Sequence, residues 1–328
     1  MFKNWYKLFL ILTITSSLNA GDLTSQDCAY GQIANLKRLN LWYETFGKPT
    51  NPALLLIMGG FSQGILWPVE FCKQLATAGF YVIRYDNRDT GFSTHFDFEH
   101  SPYDLLDMSQ DAVDLLDFLK VKNAHIFGVS MGGPIAELIA VYFPEKVRTL
   151  NLMATSCDFC PLIRSLSSVP IEEKDEGLSS PTKAYITSIS TFLNFPANTL
   201  EEKLELRLNS WRICNGSIFP LEETSLRNIH MEHLIRSQNV PNNENHILAI
   251  KKSQSLIRLV PFQVKVPTII FHGSEDPIFQ PDHGAALAQA IPHAKYVFVK
   301  GMGHVPNPYF YDLFVDELSK FAGIKKTK

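Results

Sequence analysis

Three short stretches of the chain carry side chains that could together transfer an acyl group. Gly128-Val129-Ser130-Met131-Gly132 has the G-x-S-x-G spacing that lifts a serine onto a tight turn between a strand and a helix. Gly301-Met302-Gly303-His304 ends a glycine-rich turn in an imidazole, and Gly273-Ser274-Glu275-Asp276-Pro277 offers carboxylates. A serine hydroxyl is a weak nucleophile at neutral pH, so a base must take its proton as it attacks. His304 is the candidate base, and a carboxylate must hold its ring in one tautomer and offset the charge it gains. Asp276 is the preferred carboxylate; Glu275, one residue away, and Asp158, after an earlier strand, are the other candidates. His272 falls inside a strand and reads as a packing residue.

A carbonyl under attack gathers negative charge on its oxygen, and two N–H donors must already point at it. The backbone of Met131, directly after the serine, is one candidate. The other is Gly60, in the turn that follows an early strand. No cofactor is needed for this chemistry. His230 and His233 stand three apart on a polar helical stretch, but no third ligand is spaced to join them in a metal site.

The elements that must position these residues follow from the apolar pattern. Leu39–Phe46 alternates as an edge hairpin strand, and Ala53–Met58 is an uninterrupted apolar run expected of a strand covered on both faces. A helix over Leu66–Ala78, a strand over Phe80–Tyr85 and a helix opened by Ser101 and Pro102 come next. A strand at His125–Gly128, a helix at Pro134–Tyr142 and a strand at Val147–Ala154 continue the alternation. From residue 157 to 264 the alternation lapses into amphipathic stretches, including Tyr185–Phe195, Leu200–Trp211 and Leu221–Arg236. It resumes with strands at Val266–His272 and Tyr296–Lys300 and helices at Gly284–Ile291 and Tyr309–Phe321. The expectation is an α/β fold, a mostly parallel sheet flanked by helices, built from residues 21–156 and 265–328 with a helical cap at 157–264. Phe159, Phe192, Phe195, Trp211 and Phe219 of the cap are candidates to roof the site.

With 45% hydrophobic residues in 328, the chain can bury a large core. A net charge of −3 without a basic stripe argues against a nucleic-acid partner. Residues 1–20 read as an export signal: Lys3 and Lys7 precede an apolar stretch too short for the roughly 20 residues of a membrane span, and small residues lead to cleavage near Ala20. Export to a periplasm or outside the cell is expected, with a membrane-anchored form as the alternative. The five cysteines, Cys28, Cys72, Cys157, Cys160 and Cys214, are an odd number, so not all can pair within the chain. Cys157 and Cys160 read as a structural disulfide or as buried thiols.

Several stretches together resemble the aclacinomycin methylesterase group of α/β hydrolases. They are Leu54–Gly60 (LLLIMGG), Ile83–Ser93 (IRYDNRDTGFS), Gly128–Gly133 (GVSMGG), Val266–Ile269 (VPTI), Asp276–Ile278 (DPI), His283-Gly284 and Gly301–His304 (GMGH). The resemblance implies a Ser130–His304–Asp276 triad, oxyanion donors at Gly60 and Met131, and a scaffold role for Arg88 and Asp89. The cap departs from the family, so the methyl ester and polyketide of that group do not carry over. The expected function is hydrolysis of a small, apolar carboxylic ester through an acyl-enzyme. Carbon–carbon bond hydrolysis, cofactor-free haloperoxidase or perhydrolase chemistry on the same triad, and a non-catalytic ligand-binding role stay open beside it.

Overall fold

Strands of four to seven residues assemble into one eight-stranded sheet in the computed structural model, which describes residues 31–166, 177–194, 197–237 and 244–324. The strands are β1 (Gln32–Asn35), β2 (Asn40–Phe46), β3 (Ala53–Ile57), β4 (Tyr81–Tyr85), β5 (Ala124–Val129), β6 (Val147–Met153), β7 (Thr268–Gly273) and β8 (Lys295–Val299). Their order is β1-β2-β4-β3-β5-β6-β7-β8; β1 and β2 run antiparallel to their neighbours and the remaining pairs are parallel. The sheet changes winding direction beside β3. At such a reversal, loops leaving the carboxyl ends of the strands form the natural crevice for a ligand.

Both faces of the sheet are covered, which is why its central strands are apolar without alternation. Leu55 and Ile57 pack on the side of α2 (Leu105–Phe118), α3 (Gly132–Tyr142) and α10 (Pro281–Ala290). Leu54 and Leu56 point the other way, toward α1 (Val69–Thr77) and α11 (Tyr311–Phe321). Between β6 and β7 the described residues contain helices and no strand: α4 (Cys160–Leu166), α5 (Lys183–Asn194), α6 (Leu200–Cys214), α7 (Glu223–Arg236), α8 (Asn245–Lys252) and α9 (Gln254–Leu259), with a 3-10 turn at Pro261–Gln263. Ile250 and Ile257 of α8 and α9 join the main core.

Several boundaries differ from the sequence expectation, and three of the differences have a local physical cause. β2 is not the edge: the four-residue β1, with only Ala34 buried, lies outside it and pairs Gln32 opposite Tyr43. α1 starts at Val69, because Trp67 and Pro68 are extended and separate it from a 3-10 turn at Gly64–Leu66. α2 is capped by Asp104, not Ser101. The Asp104 carboxylate accepts from Leu106 and Asp107 N–H, while the Asp107 carboxylate accepts from Asp104 N–H, a reciprocal cap that a serine three residues earlier cannot make.

Residues 1–20, Cys28 and Phe195 lie outside the described residues, as does the side chain of Phe192. Among the described residues no helix is long and apolar enough to cross a membrane. No disulfide joins the described cysteines; the Cys160 thiol donates to Gln254 Oε1 at 3.3 Å, and burial pushes Cys72 up to about 12.

Glu137 of α3 is fully buried, and neither carboxyl oxygen has a hydrogen-bond partner. Burial pushes its pKa from 4.5 up to about 8, so the folded protein holds it as a neutral acid at pH 7. Below the unfolded value of 4.5 this requires no extra work of folding. As pH rises toward 8 the unfolded chain ionises and the folded one does not, so stability falls, by about 3 kcal/mol at pH 7. Glu137→Gln is therefore expected to match the wild type in urea unfolding near pH 4.5 and to exceed it progressively toward neutrality; parallel curves across that window would refute the assignment.

Candidate active site

Ser130 occupies the turn from β5 into α3 with a φ of +53°, a left-handed conformation uncommon for a residue with a Cβ. Hydrogen bonds on both sides impose it. Its N–H donates to Met153 O (3.0 Å), and its carbonyl accepts from Gly133 N–H (2.9 Å) and the Thr155 hydroxyl (2.8 Å). The turn is so tight that a Cβ on Gly128 would sit 2.1 Å from Gly132 O, which restricts that position to glycine.

The turn after β3 comes alongside. Gly59 packs against the Ser130 side chain, and Gly60 against Met131, so the two expected oxyanion donors belong to adjacent backbone segments. This loop is held from several directions: Asn87 Nδ2 donates to Met58 O (3.1 Å), Phe61 N–H to His246 Nδ1 (2.9 Å), and Gln63 Nε2 to His233 O of α7 (2.9 Å).

Asp276 and His304 meet in the loops after β7 and β8. His304 Nδ1 lies 2.8 Å from Asp276 Oδ2, and Asp276 Oδ1 accepts from Ile278 N–H (2.9 Å) and Phe279 N–H (3.0 Å). Burial by itself would raise the Asp276 pKa, but the charge and hydrogen bond of His304, helped by His272 and the Ile278 N–H, outweigh it and hold the carboxyl below its ordinary value. An ionised carboxylate has no proton to give, so Nδ1 carries the proton, and in the neutral ring Nε2 is the nitrogen with the free lone pair. Ser130, Asp276 and His304 all follow the carboxyl ends of parallel strands, β5, β7 and β8. Ser130 Oγ and His304 Nε2 are not hydrogen-bonded to each other; in substrate-free enzymes that bond is often long and tightens when substrate arrives.

The competing residues are engaged elsewhere. Glu275 Oε2 accepts from Ser217 N–H (2.6 Å). Asp158 accepts from Cys160 N–H (2.8 Å) and pairs with Arg258 (3.1 Å). His272 Nε2 is bound to Phe279 O (2.8 Å), with its ring against Gly284. Arg88 makes a two-pronged pair with Asp111 (2.6 and 2.8 Å), and Asp89, at φ +62°, accepts from Phe96 N–H, Tyr103 and Asn245. Of the proposed roof, Phe159 packs on Phe279 (ring centres 4.7 Å apart), which in turn lies beside His304, whereas Phe219 stacks on Tyr309 (4.5 Å).

Two supports were not legible in the residue pattern. The end of α6 grips the histidine loop: Cys214 O accepts from His304 N–H (2.7 Å) and Val305 N–H (3.2 Å), and Asn215 O from Gly303 N–H (3.1 Å). A Cβ on Gly303 would lie 2.2 Å from Cys214 O. Asn307 ties the same loop to Asn215 Oδ1 (2.7 Å) and Pro220 O (3.1 Å). Nothing in the sequence marks a carbonyl as an anchor; only the asparagine pair, 92 positions apart, could have hinted at it.

The family model for the alpha/beta hydrolase fold matches residues 52–309. The chain belongs to the α/β-hydrolase family. Within it, this hydrolase is 34% identical over 277 residues to the rhodomycin D methylesterase DauP of Streptomyces sp. (strain C5), covering 81% of this chain and 89% of that one. It is equally similar to DnrP of Streptomyces peucetius, also a rhodomycin D methylesterase. The resemblance drawn from its motifs to the methylesterase group thus extends over 81% of the chain. The enol-lactonase from Burkholderia xenovorans LB400 shares the fold, with a TM-score of 0.64 at 20% identity over 89% of this chain and all of the other.

Proposed function

We propose that this α/β hydrolase is a serine esterase. The observation that carries the reading is the Asp276–His304 pair, with Nε2 left as a base on the strand ends that also carry Ser130; esterase relatives support it. Ser130 Oγ attacks the ester carbonyl as His304 Nε2 takes its proton. The N–H groups of Gly60 and Met131 receive the developing oxyanion. Collapse of the tetrahedral intermediate breaks the bond to the alkoxy oxygen, which leaves with the proton from His304. Water, deprotonated by the same imidazole, then releases the acid and restores Ser130.

Purified residues 21–328 should hydrolyse members of a panel of methyl and p-nitrophenyl esters from acetyl to long acyl. A fluorophosphonate should form one adduct, located on Ser130 by peptide mass spectrometry, and Ser130→Ala should lose both turnover and labelling. Turnover that survives in Ser130→Ala, or an adduct at another serine, would overturn the reading. Export belongs to the same proposal: protein recovered outside the cytoplasm should begin at Gly21, and an intact Met1 there would contradict cleavage.

A further inference from the structure

Arg207 of α6 has no carboxylate partner among the described residues, although acids surround it in sequence. Glu201 and Glu205 pair with Arg227, and Glu223 with Arg212. Arg207 instead donates from Nε to His230 Nδ1 (3.4 Å) and from Nη2 to His233 Nε2 (3.2 Å). A guanidinium has no lone pair to offer, so both histidines must accept at those nitrogens and carry their protons on the opposite ones. Both rings are therefore neutral. His230 Nε2 is a buried donor with no acceptor, and His233 Nδ1 makes no full hydrogen bond, with only the Phe61 backbone near it. Burial, together with the neighbouring Arg207 charge, pushes both histidines far down, His230 to about 3, and burial lowers Arg207 itself to about 10. The cluster is rich in donors, positively charged and short of acceptors, which is the complement of an anion.

Its place in the fold relates it to the active site on two sides. His233 O accepts from Gln63 in the loop that carries Gly60. On the other side Trp211, one turn after Arg207, packs edge-on against His230 (4.6 Å), and Cys214 at the end of the same helix holds the His304 N–H. Arg207 thus lies about 10 Å along α6 from the anchor of the base. We propose that Arg207, flanked by His230 and His233, binds a carboxylate of the substrate remote from the ester to be cleaved. Resting on the esterase reading, this makes the substrate an anionic ester whose carboxylate is several carbons from the scissile carbonyl.

The test compares monomethyl suberate with dimethyl suberate. The wild type should favour the half-ester in kcat/KM by about tenfold or more, the worth of one charge-assisted hydrogen bond. In Arg207→Gln that ratio should fall to about one, and in Arg207→Lys, which keeps the charge without the fork, to an intermediate value. Should Arg207→Gln not fold, Arg207→Lys and the wild-type ratio decide. Suberate should also raise the melting temperature of Ser130→Ala, by less when the same protein carries Arg207→Lys, and not at all when it carries Arg207→Gln. A wild-type ratio near one, or a ratio untouched by either Arg207 variant, overturns the carboxylate site while leaving the esterase standing. Suberate binding that depends on Arg207 in a protein without esterase activity sustains the site and removes the esterase.

Discussion

Asp276→Asn is expected to lower kcat for ester hydrolysis by about 10⁴-fold with KM changed only a few-fold. The size of the loss follows from how this carboxylate is held. Its Oδ1 accepts two backbone N–H groups, from Ile278 and Phe279. In the variant the amide oxygen must keep that position, because an NH2 group there would face two donors. The amide nitrogen then points at His304 Nδ1, which can only accept. The proton is forced to Nε2, and the ring loses the lone pair that takes the serine proton. The fold should persist, since every backbone bond to the side chain is kept, so circular dichroism and melting temperature serve as controls. A loss below about tenfold in an intact protein would mean that another group orients His304.

The second large effect concerns stability. Arg236 of α7, one of the helices between β6 and β7, pairs with the fully buried Asp86 at 2.5 Å, its guanidinium 4.2 Å from the ring centre of Trp42 and 4.4 Å from that of Phe92. Asp86 also accepts from Gly64 N–H (2.7 Å) and Phe92 N–H (3.0 Å). Burial raises its pKa even against the pull of Arg236. Removing the cation alone strands a buried charge, so Arg236→Met should destabilise by roughly 3–5 kcal/mol in denaturant unfolding. Adding Asp86→Asn should restore part of the loss: it removes the stranded charge, and its amide oxygen can still accept from Gly64. If the double variant were no more stable than Arg236→Met, the penalty would lie in lost packing on Trp42 and Phe92 rather than in charge.

How much of this could be read from residues alone depended on whether the signal was local. Ser130 was legible because its turn needs Gly128 two residues before it, and β3, β5 and β7 were legible because burial on both faces leaves short, mostly apolar runs. Asp276 and His304 followed from their positions after strands. β1 was invisible, being four residues with one buried side chain. The start of α2 was misplaced because Ser101-Pro102 looks like a cap, while the reciprocal Asp104–Asp107 pair uses a residue type less expected at the third position. Arg207 shows the deepest gap. In sequence it is one of several charges on a polar helix, and only the pairing of Arg212 and Arg227 with the nearby glutamates isolates it.

The grip of Cys214 and Asn215 on the histidine loop sets a rule for anyone grafting caps between relatives. One attachment of the helices between β6 and β7 to the rest of the fold is made of main-chain carbonyls, so a transplanted cap that matches both junctions but ends its helix half a turn early would leave the His304 and Val305 N–H groups unanswered. Such a chimera would fail at the base, with its new pocket intact. The helix end at 214–216 should therefore travel with the core in any such exchange, treated as part of the catalytic frame and spliced upstream.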